Sequence, residues 1–112
     1  METTKALAAL AGLAQDTRLR LFRLLVEHGP EGQSPGAIAE ELGLADATLS
    51  FHLKELARAG LVSARRVGRF IYYSANYRTM NGLVAYLTEN CCRGASCASA
   101  CAPVRKPKRK AS

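Results

Sequence analysis

A chain of 112 residues with 48% hydrophobic and 22% charged side chains has the make-up of one globular domain with a modest core. Its longest apolar run, "ALAALAGLA" at 6–14, is too short to span a membrane, and with Glu2 and only Lys5 ahead of it lacks a signal peptide's cationic start; a cytoplasmic location is expected. The formal charge of +7 is uneven: residues 1–47 carry four cations and seven anions, 48–78 six cations and one anion, and 102–112 five cations. This suits a polyanionic partner such as nucleic acid, with a solvated basic face as the plainer alternative.

In chain order, residues 4–13 predict a helix with Leu7, Leu10 and Leu13 recurring every three positions. A second helix is expected from Asp16 to Glu27, with Leu21, Leu24 and Leu25 on one face and His28-Gly29-Pro30 as its stop. "GPEGQSPG" reads as a loop. Ser34 as N-cap and Pro35 in the first turn open a short helix, Pro35–Leu42, which Gly43 closes. Asp46 is the expected N-cap of the next helix, which runs to about Ala59 and buries Leu49, Leu53 and Leu56. Two helices joined by the tight turn "GLAD" are laid out as a helix-turn-helix, whose second helix enters a DNA major groove.

Leu61–Arg66 and Arg69–Ala75, with Gly68 between them, predict a β-hairpin with Arg65, Arg66 and Arg69 crowding its tip. A last helix is expected over about Tyr77–Asn90, with Leu83, Val84 and Leu87 along one side. The order of elements is that of a winged helix-turn-helix, mainly α with one hairpin. Residues 1–90 form the expected folded domain, 91–101 hold every cysteine, and 102–112 are too polar and proline-broken to fold.

On the helix from Asp46, the residues opposite the leucine stripe are Thr48, Ser50, Phe51, Lys54 and Arg58, with His52 at the fringe. The hydroxyls of Thr48 and Ser50 suit base edges or phosphates, and Phe51 suits a thymine methyl. Lys54 and Arg58 suit phosphates, and Arg65, Arg66 and Arg69 the adjacent backbone or minor groove. Each has a plainer reading: packing for Phe51, a satisfied interface histidine for His52, and solvation for the arginines.

"ATLSFHLKELARAGLV", the basic hairpin "ARRVGRFIYYSA" and the thiol pair after the last helix together resemble the ArsR/SmtB family of bacterial repressors, over about residues 5–92. The resemblance implies a homodimer that binds an operator and releases it when a metal or metalloid binds thiolates or imidazoles. One departure matters. The founding arsenic sensors carry Cys-x-Cys in the helix before the recognition helix, here "GAIAEELG" at 36–43, which has no cysteine. The chain resembles instead the arsenite-responsive branch whose thiols follow the last helix.

Cys91, Cys92, Cys97 and Cys101 admit three readings. Four ligands could close a zinc tetrahedron, although adjacent cysteines without Cys-x2-Cys spacing make an unusual zinc pattern. A redox switch is a second reading. Arsenite or antimonite is the third and preferred one, because these soft three-coordinate ions are saturated by three thiolates. Cys91 and Cys92 are the expected first pair. Cys97 is taken as the third ligand from the resemblance, with Cys101 as a substitute. An enzyme is not expected, since His28 and His52 are the only histidines and both lie far in sequence from the thiols. A DNA-binding module without regulation remains the rival that an arsenite titration would separate.

Overall fold

The computed structural model describes residues 1–94, so Cys97, Cys101 and the basic tail lie outside the described residues. Its elements are α1 (Thr3–Leu13), α2 (Asp16–His28), α3 (Pro35–Leu42), α4 (Asp46–Arg58), β1 (Val62–Val67), β2 (Phe70–Ala75) and α5 (Tyr77–Thr88). The winged helix-turn-helix order is as expected. No helix among the described residues is long and apolar enough to cross a membrane.

Local chemistry sets the boundaries. Gln15 caps α2, its side chain accepting the Arg18 amide at 2.8 Å. Ser34 caps α3 by accepting the Ala37 amide at 3.2 Å, and Gly43 ends that helix in the left-handed conformation, φ 68°. Asn76 caps α5 through the Thr79 amide. At α4 the expectation fails by one residue. Ala45 is the N-cap and makes no side-chain bond, while Asp46 is the first helical residue, where its charge faces the positive end of the helix dipole.

One core joins α2, α3, α4 and the base of the hairpin, with Leu21, Leu25, Ile38, Leu49, Leu56 and Leu61 fully enclosed. The three leucines of the α1 repeat divide: Leu7 and Leu10 are exposed and Leu13 packs against the core, while Ala6, Ala9 and Gly12 are the buried residues. The cause is close approach: a Cβ on Gly12 would lie 2.9 Å from Ala59 Cβ and 3.0 Å from Leu61 Cδ1. Only small side chains fit this crossing. Likewise the predicted side of α5 divides, Leu83 being buried and Val84 and Leu87 exposed.

β1 and β2 pair antiparallel from Val62↔Ala75 to Val67↔Phe70, leaving Gly68 and Arg69 as a two-residue turn. Gly68 has the positive φ, 64°, that such a primed turn requires. The loop before α3 adds a one-residue antiparallel bridge to β2: Gln33 and Tyr73 exchange both main-chain hydrogen bonds, at 2.9 and 2.8 Å. At the far end, α5 stops at Thr88, two residues short of the expected end. Asn90 takes φ 57°, so Cys91 and Cys92 stand beyond a kink rather than on the helix.

Candidate nucleic-acid interface

The stretch of α4 from Asp46 to Lys54 presents Thr48, Ser50, Phe51 and Lys54 to solvent. Phe51 is 55% exposed, so it makes no ordinary core contact. Ser50 stands at the edge nearest the hairpin, lining a cleft with Pro35, Asp46, Leu49, Leu53 and Tyr73. This end of a recognition helix is where side chains reach base edges. Arg58, in the last turn, is drawn away from the group. Its guanidinium lies 3.2 Å from the Glu55 carboxylate, over a groove lined by Ala8 and Ala59.

His52 does not join the outward set. It is 8% exposed, and its Nδ1 finds no hydrogen-bond partner among the described residues. Its ring meets Phe51 edge-on at 5.3 Å between centroids. Burial lowers its pKa below the ordinary histidine value, and the nearby Arg18 charge adds to this against a smaller opposing effect of Glu55. At this burial the His52 ring packs within the fold beside Leu49 and Leu53, on the inner side of α4 and apart from the outward group.

The three wing arginines have different surroundings. Arg69 is in the turn, and Arg66 pairs across the hairpin with Ile71. Both are exposed. Arg65 is one step farther from the tip, opposite Tyr72, and is engaged. Its Nη2 donates to the Glu31 carbonyl at 2.6 Å, and its guanidinium carbon lies 5.3 Å from the Tyr72 ring centre. Phe70, which sequence reasoning took only as a strand residue, is 62% exposed beside the tip and pairs with the exposed Val67. The available signal was an aromatic residue placed immediately after a basic glycine turn. Arginines flanking an exposed phenylalanine can neutralise phosphates and lay a ring against sugar or base.

At the other end, Cys91 Sγ stands 3.9 Å from Cys92 Sγ. Cys92 and Arg93 adopt φ values of 55° and 58°, a left-handed backbone unusual for side chains of this kind. Two thiols of the expected site are thus neighbours in space. Its remaining residues, Cys97 and Cys101, lie outside the described residues.

Comparison with known proteins places this geometry. A family model described as a helix-turn-helix domain matches residues 13–64. The nodulation protein NolR of Rhizobium meliloti is 38% identical over 80 residues, a match spanning 71% of this chain and 63% of that protein. The solved structure of NolR from Sinorhizobium fredii is 34% identical, with a TM-score of 0.61 over 77% of this chain and 83% of the other. An ArsR-like transcriptional regulator from Rhodococcus sp. RHA1 superposes with a TM-score of 0.68 at 27% identity, covering 75% and 76% of the two chains. A winged helix-turn-helix DNA-binding domain from Mycobacterium bovis, described as homodimeric, gives 0.63 at 28% identity over 76% and 77%.

Proposed function

This chain belongs to the ArsR-like family of winged helix-turn-helix transcriptional regulators, and from that premise we propose that it is a cytoplasmic, homodimeric repressor that trivalent arsenic or antimony releases from its operator. As a family member it is a DNA-binding regulator and not an enzyme. The observation that carries the DNA reading is the exposed set Thr48, Ser50, Phe51 and Lys54 on α4, accompanied by a wing bearing exposed Arg66 and Arg69. The dimer reading is supported by Leu7 and Leu10 on α1 and Val84 and Leu87 on α5, exposed apolar side chains on two helices that Thr3 and Tyr86 join by a 2.7 Å hydrogen bond.

Support for the inducer comes from the donor set. Cys91 and Cys92 carry soft sulfur ligands 3.9 Å apart, near enough for one ion to engage both after small rotations. Cys97 supplies the third thiolate in this reading, with Cys101 as its substitute. The same cluster of sulfurs admits a second reading, in which thiol oxidation itself is the signal.

An operator-binding titration with arsenite, antimonite, zinc and diamide tests both. Arsenite and antimonite are expected to release the reduced protein, and serine at Cys91 or Cys92 to abolish release while leaving DNA binding intact. Cys97→Ser is expected to impair the response to arsenite but spare a monosubstituted trivalent arsenical, which needs two thiols; Cys101→Ser should change little. Release by diamide alone selects the redox reading, equal loss at all four cysteines selects tetrahedral zinc, and no release by any agent leaves a DNA-binding module without regulation. On the DNA side, Thr48→Ala and Ser50→Ala should each weaken operator binding by about 1–3 kcal/mol while sparing non-specific binding. Lys54→Ala should weaken both.

A further inference from the structure

We propose that Arg65 is a positioning residue, which with the loop 31–33 clasps the wing at a fixed angle to the recognition helix instead of binding a phosphate. The inference rests on the operator-binding reading and adds to it a division of labour among the wing arginines. Arg65 starts on β1, its guanidinium passes beside the ring of Tyr72 on β2, and Nη2 ends on the Glu31 carbonyl beyond that strand. Two residues later, Gln33 holds Tyr73 through two main-chain bonds. Gly32, between them, sits so close that a Cβ would lie 2.6 Å from Tyr73 O. Three consecutive loop residues therefore grip the hairpin.

The next residue, Ser34, caps α3, and α3 leads through one short turn into α4. Wing and recognition helix are thus referenced to the same few residues. A charged donor on a carbonyl is among the stronger hydrogen bonds, and a planar guanidinium suits the aromatic face better than an ammonium does. Arg66 and Arg69, by contrast, have no side-chain hydrogen bond or ion pair among the described residues, and their charge is available to DNA.

Salt dependence separates the two roles, because each neutralised phosphate contributes about 0.9 to the slope of log K against log salt. Arg65→Ala is expected to lower operator affinity about ten-fold at every salt concentration with the slope unchanged, whereas Arg66→Ala and Arg69→Ala lower the slope itself. Tyr72→Leu, which leaves every charge in place, should reproduce the Arg65→Ala pattern. Amide exchange in the DNA-free protein supplies an independent arm. Arg65→Ala should speed exchange at Gln33 and Tyr73 while leaving the core amides of Leu25 and Leu56 at the parent rate. A slope lowered by about 0.9 in Arg65→Ala would overturn the proposal, as would unchanged exchange at Gln33 and Tyr73. If the parent protein bound no DNA, the operator reading would fall while the exchange arm still decided the clasp.

Discussion

Replacing Gly32 with alanine measures how tightly the wing is held. Two costs arise in the folded state. Gly32 has φ 84°, where an L side chain loses about 1–2 kcal/mol. The new Cβ would also stand 2.6 Å from Tyr73 O and 3.0 Å from Tyr73 C, main-chain atoms that cannot rotate aside. Relief requires opening the paired Gln33–Tyr73 bonds, each worth about 0.5–1.5 kcal/mol net. The sum is about 2–5 kcal/mol, against a typical domain stability of about 5–15 kcal/mol. The variant should therefore fold, with Tm lower by roughly 10–30 °C. Gly43→Ala is the matched control. Its φ is 68°, yet nothing lies within 4 Å of the added Cβ, so only the conformational cost applies, a fall of roughly 5–15 °C. Both variants gain equally from a stiffer unfolded chain, so that effect cancels. The assay is thermal unfolding by circular dichroism at one protomer concentration, since a dimer's Tm depends on it. If Gly32→Ala proved no less stable than Gly43→Ala, the close approach of loop and hairpin would be refuted.

Two further outcomes are expected. The double variant Leu7→Glu, Leu87→Glu places charge on side chains about 60% exposed in the protomer; if they enclose a dimer seam, each loses about 1–2 kcal/mol of burial. Sedimentation should then find monomers of parental helicity, whereas an unchanged dimer would move the seam elsewhere. The second concerns acid. Because burial depresses the His52 pKa, the unfolded chain takes up this proton first as pH falls, so the contribution of His52 to stability is full above about pH 6.5 and declines below it toward the depressed folded value. His52→Gln should flatten the loss of urea stability between pH 7 and pH 5; an unaltered slope would mean the ring is not buried as neutral imidazole.

The helix-turn-helix was legible because its signals are local: Ser34 and Pro35 open one helix, Gly43 closes it, and Leu49, Leu53 and Leu56 mark the inner side of the next. His52 stood at the fringe of the outward set, with an interface histidine as its plainer reading; it falls between Leu49 and Leu53 on the buried stripe, and its 8% exposure fits that plainer reading. On α1 periodicity marks an apolar face without naming what covers it: Leu7 and Leu10 are exposed, while Gly12 sits where a Cβ would stand 2.9 Å from Ala59 Cβ. Arg65 and Arg66 are adjacent and identical in sequence terms. They differ because strand neighbours face opposite ways and because the Glu31 carbonyl that holds Arg65 lies 34 positions earlier. No local pattern carries that information.

The placement of α5 constrains how the thiols could govern DNA binding in the proposed mechanism. Its first turn is bound to the DNA-binding body: the Asn76 amide donates to the Leu61 carbonyl at 2.8 Å, and the Tyr77 hydroxyl donates to the Val26 carbonyl near the end of α2 at 2.9 Å. Its second half carries exposed Val84 and Leu87 and is tied to α1 through Tyr86 and Thr3. A change at Cys91 and Cys92 therefore acts first on the half of α5 that bears the apolar surface, three residues away from Thr88. The contacts within the reading head lie at the other end and need not rearrange. In that proposal, release would follow from rotation of two intact heads about their seam, spoiling the spacing of two recognition helices that must enter successive major grooves together. Such coupling typically amounts to about 1–3 kcal/mol, and it exists only to the extent that the ion binds one seam geometry more tightly than the other. The proposed mechanism therefore requires that the ion's affinity depend on whether operator DNA is bound, by the same factor that the operator's affinity depends on the ion.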